Sequence, residues 1–147
     1  MSGLTTIGWR ERIMLPGLCS IPINAKIDTG ARSSAIHAFD IREITLDGVP
    51  HVDFLLHPVQ RKKSPEVKCR KQVIDKRIIR SSNGHESERF VIETKLRLGK
   101  RFWKIELTLA DRDAMGFRML VGRDALRRKF IVDPGASYLM PLPGEVD

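Results

Sequence analysis

Apolar residues recur mostly at alternate positions along the chain, in short runs broken by Gly, Pro and Asn. That is the pattern of brief strands joined by turns, and it predicts a mainly β fold. The first strand is expected over Ile7 to Leu15, ended by Pro16-Gly17. The second, Ile21 to Ile27, runs straight into Asp28-Thr29-Gly30, and a third follows over Ser33 to Phe39. Weak alternation from Ile41 to Val59 surrounds a turn at Asp47-Gly48. The polar, basic stretch 60–72, with Ser64-Pro65, reads as an inserted loop. Residues Val73 to Ile79 and Arg89 to Glu93 are β-prone and flank Ser81-Ser82-Asn83-Gly84. Asn and Gly both tolerate positive φ, so a projecting hairpin is expected there. A second hairpin joins 95–98 to 102–109 through Gly99-Lys100, with Trp103, Ile105, Leu107 and Leu109 on one buried face. Met119-Leu120-Val121 ends at Gly122, and Arg123 to Arg128 has the composition of a short helix, with acid near its start and base near its end. Phe130-Ile131-Val132 is the last expected strand. Asp133 then serves a turn with Pro134-Gly135, and the tail from Pro141 is expected to be loose.

A chain of 147 residues supports one ordinary core, so a single domain is expected. The 26 Lys and Arg against 18 Asp and Glu leave a formal charge of +8, which favours acidic partners without choosing among them. Cys19 and Cys69 are too few for a disulfide framework. Residues Met1 to Arg12 lack the basic and apolar regions of a secretory leader, and no apolar run is long enough to cross a bilayer. A soluble cytoplasmic protein with no membrane partner is expected.

The segment that carries chemistry is Ala25-Lys26-Ile27-Asp28-Thr29-Gly30-Ala31. A strand delivers an acid into a tight turn, Gly30 permits close backbone approach, and the Thr29 hydroxyl is placed to anchor the turn. Met119-Leu120-Val121-Gly122-Arg123-Asp124 brings an apolar strand to a Gly and a short helix much later in the chain. Taken in order, these features resemble the retropepsin arrangement, whose late apolar-Gly step packs beside the acid-bearing loop. The resemblance implies a closed β-barrel with one short C-terminal helix. The runs Lys26 to Ala38 and Arg112 to Arg123 are similar, more narrowly, to a bacterial retropepsin-like family labelled ATP-dependent zinc proteases and linked to RimK-type ATP-grasp ligases that add glutamates to proteins. The chain contains neither a phosphate-cradling Gly-rich loop ending in Lys-Ser or Lys-Thr nor a His-Glu-x-x-His pair. His37, His51, His57 and His85 and the two cysteines show no metal spacing, so no metal and no cofactor are expected.

The resemblance implies a peptidase in which Asp28, Thr29 and Gly30 form the catalytic turn. Two carboxylates a hydrogen bond apart share one proton, and the chain holds one such turn, so a homodimer has to bring two copies of Asp28 together. On the same resemblance, Asn83 and Gly84 would tip a flap that closes over a peptide or protein substrate; an ordinary exposed hairpin reads equally well. Ala31, Arg32 and Arg123 would border the substrate. Arg32 stands where retroviral enzymes place an acid, so either Arg32 and Arg123 select acidic or glutamylated peptides, or Arg32 pairs with Asp124. The alternative function is a non-catalytic module of the same fold that binds acidic peptides as partner of a glutamate ligase. Nucleic-acid binding is not expected, because only Phe102-Trp103 sits between basic residues.

Overall fold

The computed structural model describes residues 3–80, 84–111 and 116–142. Among them the chain forms β1 (Thr5–Leu15), β2 (Cys19–Asp28), β3 (Ser34–His37), β4 (Phe39–Leu46), β5 (Val49–Leu56), β6 (Val67–Gln72), β7 (Asp75–Arg80), β8 (Glu86–Leu98), β9 (Arg101–Ala110), β10 (Met119–Gly122), the helical turn α1 (Arg123–Leu126) and β11 (Phe130–Ser137). The eight strands of the larger sheet run in the order β11-β1-β2-β10-β3-β9-β8-β7, and β4-β5-β6 form a second sheet. The mainly β, retropepsin-like expectation holds. The expected closed barrel is not clearly formed: among the described residues β1 meets β8 through the single pair Met14 and Arg97.

Alternation explains the buried face. In β9, Ile105, Leu107 and Leu109 are buried, and they meet Ile13 and Leu15 from β1, Ile23 from β2 and Leu96 and Leu98 from β8 in one core. The second sheet adds Val52, Phe54 and Leu56 from β5 to the same core. Each such side chain contributes about 1.5–3 kcal/mol on burial. Cys69 of β6 ties the two sheets, its Sγ donating to the Leu18 carbonyl at 3.6 Å. Burial, and the Cys19 thiol beside it, push the Cys69 thiol up to about 11.

Several boundaries differ from the sequence reading. The stretch 60–72 is not loop throughout, since β6 occupies Val67–Gln72 and pairs along β5. The expected strand 33–39 breaks after His37, and β4 starts at Phe39, next to Asp40 with φ +54. The helix stops at Leu126 rather than Arg128, whose φ of +67 is not helical. Asp133-Pro134-Gly135 does not end the last strand. β11 runs through to Ser137 at the edge of the sheet, where a proline costs no ladder bond, although Asp133 Oδ1 still accepts from Gly135 N at 2.9 Å as a turn residue would. The chain beyond β11 is held as far as Met140: the buried Glu11 carboxylate accepts from Gly8 N (2.8 Å), Leu139 N (2.8 Å) and Met140 N (3.1 Å). Residues Ser81 to Asn83, including the expected hairpin tip at Asn83, and residues Arg112 to Met115 lie outside the described residues.

Candidate functional site

The acid loop exists because of strand order. β2 and β3 are consecutive in sequence, yet β10 lies between them, parallel to β2 with Gly122 opposite Asp28 and antiparallel to β3. The connection 29–33 must therefore cross the end of β10. Three hydrogen bonds seat it there: Gly122 N to Ser34 Oγ (3.0 Å), Arg123 N to the Ala31 carbonyl (2.7 Å) and Asp124 N to the Arg32 carbonyl (3.0 Å). A Cβ on residue 122 would lie 2.6 Å from the Ser33 carbonyl carbon and 2.9 Å from the Arg32 oxygen, so only Gly fits under the loop. This is the packing of a late Gly step against an acid turn that the two motifs implied.

Asp28 ends β2 half-buried, and its own carboxylate holds the turn: Oδ1 accepts from Gly30 N at 2.9 Å and from Ala31 N at 3.2 Å. Gly30 is needed for closeness, a Cβ there lying 3.2 Å from Asp28 Oδ1. Thr29 does not anchor the turn as expected. It is exposed, and its hydroxyl bonds to nothing among the described residues. Arg123 Nη1 donates to the carbonyls of Thr29 (3.1 Å) and Gly30 (3.3 Å) and so clamps the loop. Arg32 pairs with Asp124 at 3.4 Å, with side chains 79% and 48% exposed, which makes the pair weak. The structure thus brings Asp28, Thr29, Gly30, Ala31, Arg32 and Arg123 together at one loop. Gly84, with φ +85, sits between β7 and β8, and it and the adjoining Glu86, Ser87 and Glu88 are exposed. Sequence reasoning missed Ser34, whose hydroxyl lies 88 positions from its partner and carries no local signature.

Beside this loop opens a groove of about 670 Å³, walled by α1, β9, β7 and residues 32–34, with Asp28 not among its lining. It contains Arg32, Arg77, Lys104 and Lys129 against Glu106 and Asp124. Among the described residues no group of three or more His, Cys, Asp or Glu is placed to hold a metal, so they do not fit the zinc of the label met in sequence. No described helix is long and apolar enough to cross a membrane.

A family model described as retropepsin-like aspartic endopeptidase RimB matches residues 6–143. The chain belongs to this RimB-like family. Relatives of this RimB-like chain include proteins described as probable alpha-L-glutamate ligases, 48% identical over 140 residues in Desulfotalea psychrophila and 43% over 141 residues in Shewanella pealeana. These matches cover 95% and 96% of the chain but only 30% and 31% of the relatives, so the chain spans about a third of their length. The crystal structure of a Legionella pneumophila protein of unknown function superposes with a TM-score of 0.72 at 25% identity, covering 92% of this chain and 97% of that one.

Proposed function

We propose that the chain is an aspartic endopeptidase that acts as a homodimer on acidic or glutamylated peptides. The observation that carries this reading is the state of the acid loop. Asp28 spends one oxygen on the turn and keeps the other for chemistry, while the exposed Thr29 beside it has its hydroxyl available to a second copy. Two such loops on a two-fold axis would bring the carboxylates close enough to share one proton. The ionised member takes a proton from a water whose oxygen adds to the substrate carbonyl carbon. The protonated member gives its proton to the carbonyl oxygen. Collapse of the tetrahedral adduct breaks the C–N bond as the first carboxyl passes the proton it took from water to the nitrogen and the second takes one from an adduct hydroxyl, which restores the shared proton. Arg32, exposed beside the loop and only weakly held by Asp124, supplies a cation that an acidic side chain of the substrate can take over. The hairpin carrying Gly84 serves as the flap. Two free cysteines suit a reducing, cytoplasmic setting.

The test is Asp28→Asn. Asn keeps the Oδ1 acceptor for Gly30 and Ala31, so the loop stays folded while peptide cleavage drops by at least about a thousandfold, as when a member of a catalytic unit is lost. A folded Asp28→Asn protein that cleaves acidic peptides at the wild-type rate removes the reading. A second reading has its own support: relatives three times as long are described as ligases, which suits a non-catalytic module that binds acidic peptides for a glutamate ligase. Sedimentation separates the two, because a chain that stays monomeric at all concentrations has no dyad.

A further inference from the structure

The groove beside the acid loop has a feature that catalysis at Asp28 does not use. Of its cations, Arg32 pairs with Asp124, Arg77 with Asp75 and Glu106, and Lys104 with Glu93. Lys129 has no carboxylate partner among the described residues, although it is half-buried, with Nζ 5.5 Å from the Trp103 ring centroid. Its ammonium thus has a cation–π contact with Trp103 and no counter-charge among the described residues. An anion delivered by a ligand would restore the balance.

The groove also fixes the form of that ligand. Arg32 lies on the acid loop, Lys104 on β9 and Lys129 just after α1, so three cations on three elements border one groove. Side chains on one face of an extended peptide recur about every 6–7 Å, so a run of acidic residues presents a carboxylate to successive cations. The Trp103 ring is covered by Phe130, at 5.6 Å between centroids, and by Lys129, which leaves it poorly placed to stack on a base.

We infer that this groove is an exosite for an acidic stretch of the substrate, with Lys129 as its principal anchor and Lys104 and Arg32 along its length. The inference rests on the acidic-substrate reading above and deepens it, because it assigns recognition to a surface separate from the reacting acid.

The experiment measures binding without cleavage. Full-length Asp28→Asn protein is titrated into fluorescein-labelled hexaglutamate and followed by anisotropy, with hexaglutamine as the neutral control. Hexaglutamate binds and hexaglutamine does not. Adding Lys129→Glu weakens Kd by about tenfold and Lys129→Gln by about threefold, the range for charge-assisted contacts at a partly exposed site. Lys68→Glu, on the second sheet, leaves Kd unchanged, and thermal melts verify that each variant is folded. Equal hexaglutamate affinity for Lys129→Glu and its parent overturns the inference. So does tighter binding of a single-stranded hexanucleotide than of hexaglutamate, which would make the groove a nucleic-acid surface. Binding that depends on Lys129 in a protein whose wild type cleaves nothing defeats the peptidase reading alone; cleavage by wild type with Lys129-independent binding defeats the exosite alone.

Discussion

Gly122→Ala is the sharpest probe of how the acid loop is seated. The added methyl would lie 2.6 Å from the Ser33 carbonyl carbon and 2.9 Å from the Arg32 oxygen, both backbone atoms of the crossing loop. No rotamer relieves such a contact, so either β10 slides or the loop lifts. Overpacking of this kind costs about 1–3 kcal/mol. Lifting the loop also strains the bonds from Gly122 N to Ser34 Oγ and from Arg123 N to the Ala31 carbonyl, at about 1 kcal/mol each. The reduced freedom of the unfolded chain returns about 0.4–1 kcal/mol. The balance is a loss of about 2–4.5 kcal/mol, a fall in Tm of roughly 5–18 °C by calorimetry. Gly84→Ala is the comparison: nothing lies within 4 Å of its Cβ, so only its φ of +85 is strained, at about 1–2 kcal/mol. Under the dimer reading, Gly122→Ala also loses peptide cleavage, whereas Gly84→Ala keeps the acid loop intact. A Gly122→Ala protein within about 0.5 kcal/mol of wild type would refute the claim that the loop rests on β10.

Two further outcomes follow from the fold. Glu11→Gln replaces a three-bond acceptor with a group that can accept on one oxygen only and turns its NH₂ toward a backbone donor, so stability falls by about 2–4 kcal/mol and the amides of Leu139 and Met140 lose hydrogen-exchange protection. Unchanged exchange at those amides would show that the carboxylate does not hold the tail. Cys69, with its thiol raised from 9.0 to about 11, is alkylated at pH 8 about 100-fold more slowly in the native protein than in urea, as the two-unit gap between native and free thiol requires. Because the unfolded thiol ionises first, this group also lowers stability as pH rises from about 9 to about 11; peptide mapping after timed alkylation reads the first effect, and urea melts of wild type and Cys69→Ser read the second.

The turns were the most legible part of the chain. Asp47-Gly48 takes φ values of +51 and +78, the two-residue geometry that its residue types favour between β4 and β5. β6 escaped because its alternation is written in Lys, Arg and Gln: Lys68, Arg70 and Gln72 face solvent, while Val67, Cys69 and Lys71 are only half-buried. A pattern that weak is visible only once β5 is there to pair with it. β11 was cut short at Pro134 because a proline is a sound stop signal except on a sheet edge, and edge position is a property of the whole topology. At the site, Asp28 and the Gly122-Arg123 step stood out as local motifs. What joins them did not: the Ser34 hydroxyl and the Arg123 bonds to Thr29 and Gly30 depend on β10 inserting between two strands that are neighbours in sequence.

The uneven treatment of the two Asp28 oxygens has a spectroscopic consequence. With two amides pulling on Oδ1 and none of the described residues on Oδ2, negative charge concentrates on the first and carbonyl character on the second. Isotope-edited infrared spectra of the ionised carboxylate should therefore show its symmetric and antisymmetric stretches further apart than in free aspartate, a mark of bond orders made unequal by the turn itself.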